Sequence, residues 1–262
     1  MSDPFPSLRT FLEAAAAAGH LLIAPRLTDP HLEMASVIAA LDGRPVLFPH
    51  VRGSDYRVVA GVCSDRRYFA LALGCEPTRL LFRLAAAFEA PQPPPVIADA
   101  PCQEVIEDEV DLERIPFLTH WPGDAGPYAT AAVAILSDPQ TGPNASYHRL
   151  LRLDRRRLAA RLVEGRGAAT ALARTAGDLP VAICIGLPLH VLLAASMAPP
   201  PGVNELHIAH ALAPTPLVSC RTVPLFVPAA AELVLEGRIT QRTAPEGPFV
   251  DLTGTWDFVR QQ

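Results

Sequence analysis

The stretch VPAAAELVLEGRITQRTAPEGPFVDLTG, residues 227–254, carries the densest signal in the chain. Its first part, AELVLEGRI (231–239), reads as a strand of mixed alternation that ends at Gly237. Its second part, APEGPFVDLTG (244–254), sets Glu246 between Pro245 and Gly247, with Asp251 five residues later. Two carboxylates brought close push one pKa upward and give a proton donor near neutral pH. The residues alone also allow a turn with two solvated acids.

Working upstream, PLVSCRTVPLFV reads as strands, LPLHVLLAASM (187–197) and NELHIAHAL (204–212) as helices, and LPVAICIG (179–186) as a buried strand. ATAAVAILSD (129–138) and ASYHRLLRL (145–153) are strand-like, and PQTG between them makes a turn, so the two form a hairpin. RRRLAARLVEG is a turn plus a short helix or strand. In a regular strand Tyr147 and Arg149 share one face, and Asn144 and His148 share the other. Arg149 is then either a surface ion-pair residue or a clamp for a carboxylate, which a guanidinium matches in shape and charge. LTHWPGDAGPY (118–128) reads as a structural turn holding His120, Trp121 and Asp124.

The first 90 residues have a different texture. Residues 7–19 read as a helix, LLIAPRL (21–27) as a strand, and DPHLEMASVIAAL (29–41) as a helix with Asp29 as N-cap. PVLFPHV and YRVVAGVC are strands, and EPTRLLFRLAAAFEA (76–90) is a helix. The proline run PQPPP (91–95) reads as a connector. The expected fold is therefore α+β: an α/β unit over 1–95, then a β-rich domain over 96–262 with inserted helices.

Hydrophobic residues make up 50% of the 262 positions, enough for a real core. The net charge is −5 and no basic block occurs, which argues against a nucleic-acid partner. The start, MSDPFPSLRT, lacks a basic segment followed by an apolar one, and FLEAAAAAGHLLIA is too short and interrupted to span a membrane. Cytoplasm is the default location. The five cysteines are widely spaced without a CxxC, so neither a disulfide framework nor a zinc site is indicated, and most read as small buried residues. His207 and His210 read as polar-face residues, and Glu232 and Glu236 as surface or hydrogen-bonding groups.

Four blocks, in this order, resemble the UbiD family of prenylated-FMN-dependent (de)carboxylases: SLRTFLEAAAAAGHLLIAPRLTDPHLEMA, IPFLTHWPGDAGPYAT, LPVAICIGLPLHVLLAASMAPPPGVNE, and the opening stretch with its PEGPF. The resemblance implies a split β-barrel-like flavin-binding domain. It implies a lyase acting on an aromatic or α,β-unsaturated carboxylic acid, with Arg149, Glu246 and Asp251 as the catalytic group. The arginine holds the substrate carboxylate, one acid returns a proton, and the flavin supplies the electron sink. It implies a cofactor-binding set of Asn144, Ser146, Tyr147, His148, Arg149, Arg166, Ala194, Ser196, Met197 and Glu205. It further implies Mn or Mg on Asn144 and Glu205, and a K ion near Ala194, Ser196 and Met197. The family's histidine ligand has no match here, since the register from Asn144 falls on EGRG (164–167). Either Glu164 replaces it as a metal ligand, or Arg166 binds the flavin phosphate directly. Family members also continue well past PEGPF. A homo-oligomer, a heteromer with a longer UbiD-like chain that supplies the remaining half, or a non-catalytic subunit are the expectations that follow.

Overall fold

The computed structural model describes residues 5–251 and 253–262. The first four residues of MSDPFPSLRT, and Leu252 of APEGPFVDLTG, lie outside the described residues.

Helix α1 (Leu8–Ala17) starts at Ser7, whose hydroxyl accepts the Thr10 N–H while Thr10 reaches back in a capping box, and it buries Leu8, Phe11 and Ala15. Strand β1 (Leu22–Ile23) follows, then α2 (Glu33–Ala40). The start of α2 corrects the expected one. Asp29 does not cap it: its Oδ1 accepts the His31 N–H, and Leu32, at φ 66°, separates that turn from the helix. A short polar side chain closing its own local turn competes with the helix for the backbone. Strands β2 (Val46–Phe48) and β3 (Val58–Ala60) complete a three-stranded sheet. Helix α3 (Arg66–Ala72), capped by Asp65, was not foreseen, and α4 (Leu80–Glu89) was.

The second part is built on β4 (Tyr128–Ala129), β5 (Val133–Asp138), β6 (Gly142–Tyr147), β7 (Leu150–Arg152) and β8 (Leu158–Ala160). Next come α5 (Gly167–Arg174), β9 (Leu179–Ile185), α6 (Leu189–Ala195) and α7 (Glu205–Leu212). The remaining strands are β10 (Leu217–Ser219), β11 (Phe226–Pro228), β12 (Leu233–Ile239), β13 (Pro245–Glu246), β14 (Phe249–Val250), β15 (Trp256–Asp257) and β16 (Arg260–Gln261). The main sheet is antiparallel in the order β12-β9-β5-β6, and a smaller one runs β4-β7-β8. Among the described residues the strands form open sheets and not a closed ring.

The β5–β6 hairpin is present with Asn144 opposite Leu136. The single strand expected over 145–153 is instead two strands in two sheets, broken at His148 and Arg149. β12 runs through Gly237 to Ile239, paired with β9 throughout. One core joins both parts of the chain: Leu73, Leu80 and Ala87 pack with Val133, Ile135, Val191 and Ile208. Among the cysteines only Cys184 and Cys220 are buried, Cys63 is exposed, and all five are free thiols.

Candidate active site

The break between β6 and β7 is what turns Arg149 inward. Its Nε donates to Glu246 Oε1 at 2.9 Å and its Nη2 to Glu246 Oε2 at 2.8 Å. Nη2 also donates to Asp257 Oδ2 at 2.7 Å. Glu246 is fully buried and takes a third bond, from the Tyr128 hydroxyl at 3.0 Å. The guanidinium stacks on Phe249, 4.6 Å from the ring centroid, and Phe249 meets Tyr128 edge-on. Burial, then the Glu246 charge, pushes the Tyr128 hydroxyl well above its usual range, so it stays a donor. A two-pronged pair with both carboxylate oxygens engaged is the arrangement that makes a buried charge tolerable. Tyr128→Phe should cost about 1 kcal/mol by removing one of these bonds, read as a lower urea midpoint. An unchanged midpoint would sink the assignment.

The PEGPF block puts Glu246 there for a backbone reason. Gly247 sits at φ 92°, and a Cβ on it would lie 2.9 Å from the Phe258 carbonyl oxygen. Gly247→Ala therefore combines a left-handed penalty of about 1–2 kcal/mol with a backbone clash. Its expected outcome is a lower melting temperature together with displaced Glu246. The loop at 118–128 is a structural turn as read, and it does more: Asp124 accepts the His120 and Trp121 N–H groups and also the Val250 N–H, tying the loop to β14.

Asp251 is not brought into the arginine cluster by any hydrogen bond. Its Oδ1 accepts the Thr253 hydroxyl and the N–H groups of Thr253 and Thr255, closing the turn between β14 and β15. The Thr253 hydroxyl first, and these amides next, hold its carboxyl below the usual range. Asp251 is therefore not the carboxyl pushed upward, because hydrogen bonds that favour the anion outweigh its desolvation. The second carboxylate on Arg149 is Asp257. Burial pushes Asp257 up, but bonds from Arg149 and Arg260 bring it below the usual range. Sequence reading missed Asp257, Tyr128 and Phe249. Tyr128 and Phe249 lay inside quoted motifs, while Asp257 is brought in only because β15 pairs with β14.

A second cluster lies where β6 meets α7. Asn204 caps α7, which fixes Glu205 in its first turn. Glu205 Oε1 accepts from Asn144 Nδ2 at 3.0 Å and Oε2 from the Ala145 N–H at 2.9 Å, and burial pushes its carboxyl up. The Ser146 hydroxyl lies 2.9 Å from Asn144 Oδ1 and 3.2 Å from His148 Nε2, so Asn144, Ser146 and His148 do share a face. Burial lowers the His148 pKa, leaving a neutral imidazole whose Nδ1 faces the Arg161 carbonyl at 3.2 Å. Tyr147 goes elsewhere: its hydroxyl donates to the Leu192 carbonyl, so it does not share a partner with Arg149. The start of α5 approaches this cluster closely, since a Cβ on Gly167 would come 3.3 Å from Asn144 Oδ1. Arg166 is the exposed N-cap residue of α5, with no side-chain cap.

Glu164 is exposed in the preceding turn, and among the described residues no three His, Cys, Asp or Glu side chains are grouped to hold a metal. Ala194 is fully buried near the end of α6, Ser196 is exposed with its hydroxyl on the Leu193 carbonyl, and Met197 packs against the core. His207 and His210 hold no shared ligand. His210 Nδ1 accepts the Thr215 N–H.

The fold that carries this arginine is that of the UbiD-class enzymes. An evolved dimeric form of the UbiD-class enzyme HmfF from Pelotomaculum thermopropionicum, in complex with prFMN, matches with a TM-score of 0.93 and 36% identity over 98% of this chain and 63% of its own. Vanillic acid decarboxylase of Sedimentibacter hydroxybenzoicus, in closed form, matches with a TM-score of 0.92 and 28% identity over 100% of this chain and 60% of its own. Anhydromevalonate phosphate decarboxylase of Methanothermobacter thermautotrophicus is 34% identical over 97% of this chain and 60% of its own length.

The chain belongs to the UbiD family: residues 95–262 match the 3-octaprenyl-4-hydroxybenzoate carboxy-lyase Rift-related domain, and residues 12–88 match the corresponding N-terminal domain. It spans about 60% of the length of the curated relatives it matches.

Proposed function

We propose that this chain is the prenylated-FMN-binding part of a non-oxidative decarboxylase acting on an aromatic or α,β-unsaturated carboxylic acid. Residues 1–95 form its N-terminal domain and 96–262 its flavin domain, working in the cytoplasm as part of an oligomer. The observation that carries this reading is Arg149, held by the fully buried Glu246 inside a UbiD fold. When bound, the modified flavin supplies the electron sink for loss of CO2.

The residues present fit the flavin. Arg166 and the uncapped start of α5 offer a phosphate-binding end, with Asn144 packed close beside Gly167. Ser146 and His148 border that end through Asn144. They fit a three-ligand metal site poorly, because only Asn144 and Glu205 come together, so no step is assigned to a metal ion.

Arg149 Nη1 makes no hydrogen bond among the described residues and is the prong left for a substrate carboxylate. Glu246, with Tyr128 and Phe249, fixes the guanidinium plane. Asp251 binds only its own turn, through Oδ1, so its Oδ2 is the oxygen that would take a proton from water and return it to the product carbon. Shielding from solvent when the site is covered would raise its pKa toward the working range.

The test is co-expression with a flavin prenyltransferase, followed by a visible spectrum and mass spectrometry of the bound ligand. Asp251→Asn should keep the flavin and lose at least about 100-fold in CO2 release. Flavin binding without turnover on any acrylic or aromatic acid would favour the second reading, a cofactor-holding subunit. That reading has its own support, since two of the three donor nitrogens of Arg149 are already engaged by protein carboxylates.

A further inference from the structure

A guanidinium offers N–H groups in a fixed fork, and most of those on Arg149 are already placed. Its Nε–H and one Nη2–H form the side-on fork that grips Glu246. The other Nη2–H goes to Asp257 Oδ2 at 2.7 Å. A carboxylate that approaches end-on is gripped by one hydrogen from each of Nη1 and Nη2. Nη1 makes no hydrogen bond among the described residues, but the Nη2 hydrogen on that side is the one Asp257 holds. An incoming carboxylate therefore takes both end-on prongs only by removing Asp257.

The two acids on this guanidinium are not equally held. The Glu246 side chain is 0% exposed and is pinned by both side-on prongs and by the Tyr128 hydroxyl. Asp257 is 26% exposed and accepts one bond from Arg149. Its other oxygen is already on Arg260, from Nε at 3.2 Å and Nη2 at 3.1 Å. Arg161 Nε stands 3.9 Å from Oδ2, close enough to attract it but not bonded. Two cations thus stay beside Asp257 once it leaves Arg149, so the displaced charge keeps partners. Its strand is lightly held too. β15 is two residues long, pairs with β14 alone, and lies beside the exposed Trp256 and Phe258.

We propose that Asp257 is a built-in stand-in for the substrate carboxylate: it holds the end-on prong of Arg149 until a substrate acid displaces it toward Arg260 and Arg161. This deepens the reading of Arg149 as a carboxylate clamp and rests on it. The exchange replaces a one-point contact by a two-point one, so it favours a ligand that presents a planar, charged carboxylate. An amide, ester or alcohol brings no charge to replace that of Asp257, and the occupied prong rejects it. Asp257 is in this sense a specificity-determining residue, acting on what binds and not on the bond that breaks.

The test titrates the full chain, co-expressed with a flavin prenyltransferase, calorimetrically with benzoate, and with benzamide as the uncharged control. Asp257→Asn keeps the shape and removes the charge, and it should bind benzoate at least about tenfold more tightly than the parent. Asp257→Glu keeps the charge and should return the weaker binding. Unchanged or weaker benzoate binding in Asp257→Asn would make Asp257 a brace for Arg149 and overturn the proposal, as would benzamide binding as well as benzoate. A crystal of the unaltered chain with benzoate is the second measurement and depends on no variant folding. The benzoate carboxylate should sit on Nη1 and Nη2 together, with Asp257 out of hydrogen-bond distance of Nη2. Benzoate on Nη1 alone beside an unmoved Asp257, or bound away from Arg149, would overturn the displacement whatever the affinities. The visible spectrum and CO2 release of the same samples separate the two claims. Tighter benzoate binding by Asp257→Asn without flavin or turnover defeats only the decarboxylase reading. Turnover with a benzoate affinity indifferent to Asp257 defeats only this one.

Discussion

Arg149→Met is expected to destabilise the fold by about 3–5 kcal/mol, because it strands a fully buried carboxylate. Glu246 would keep only the Tyr128 hydroxyl, and Asp257 would lose its shortest partner. At about 2–4 °C per kcal/mol for a chain of this size, the melting temperature should fall by roughly 10 °C. Arg149→Lys restores a charge but not the planar fork, so it should recover only part of the loss. The double variant Arg149→Met with Glu246→Gln should be less destabilised than the sum of its parts, since neither unpaired charge then remains. Strict additivity in a urea-denaturation cycle would show that the two side chains do not act as a pair. CO2 release should vanish in all three variants if the arginine also holds the substrate.

A pH effect of similar size is expected from His190, which no motif reading singled out. It is 1% exposed, and its Nε2 lies 2.9 Å from the Thr215 hydroxyl oxygen. That hydroxyl donates to the Ala213 carbonyl, so it must accept from His190 Nε2–H, leaving a neutral ring. Burial, and then the nearby His210, lowers its pKa to about 4 from 6.5. Between those two values the unfolded chain binds a proton that the folded chain does not. Stability therefore falls as pH drops through the window, by about 3 kcal/mol in total, and is regained as pH rises. Unfolding free energies from urea curves at about pH 7 and about pH 4.5 should differ by about 2 kcal/mol from this group in the parent and by clearly less in His190→Gln. An identical pH slope in the variant would assign the effect to other groups, among them the buried imidazoles His120 and His148, whose pKa values burial also lowers.

Much of the fold was legible because apolar spacing is a local property. Phe11 and Ala15 on α1, the buried run of β9 and the helices α6 and α7 are each readable from their own residues. Where the reading failed, a local polar group or a long-range partner decided. Asp29 closed its own turn and delayed α2, and Asp65 started a helix where a strand was ending. The strand expected over 145–153 broke because its second half pairs with β4 and β8 in another sheet.

The PEGPF stretch shows the same division. By itself, the sequence determined that Glu246 stands between a proline and a glycine, and that Arg149 follows an asparagine by five residues. Only the tertiary structure decided which acid meets the arginine. Asp251 has hydrogen-bond partners within four residues and is held by its own turn. Asp257 reaches Arg149 across 108 positions because β15 folds back on β14. A charge pair between distant residues depends on where the backbone carries them, and residue spacing along the chain does not encode that.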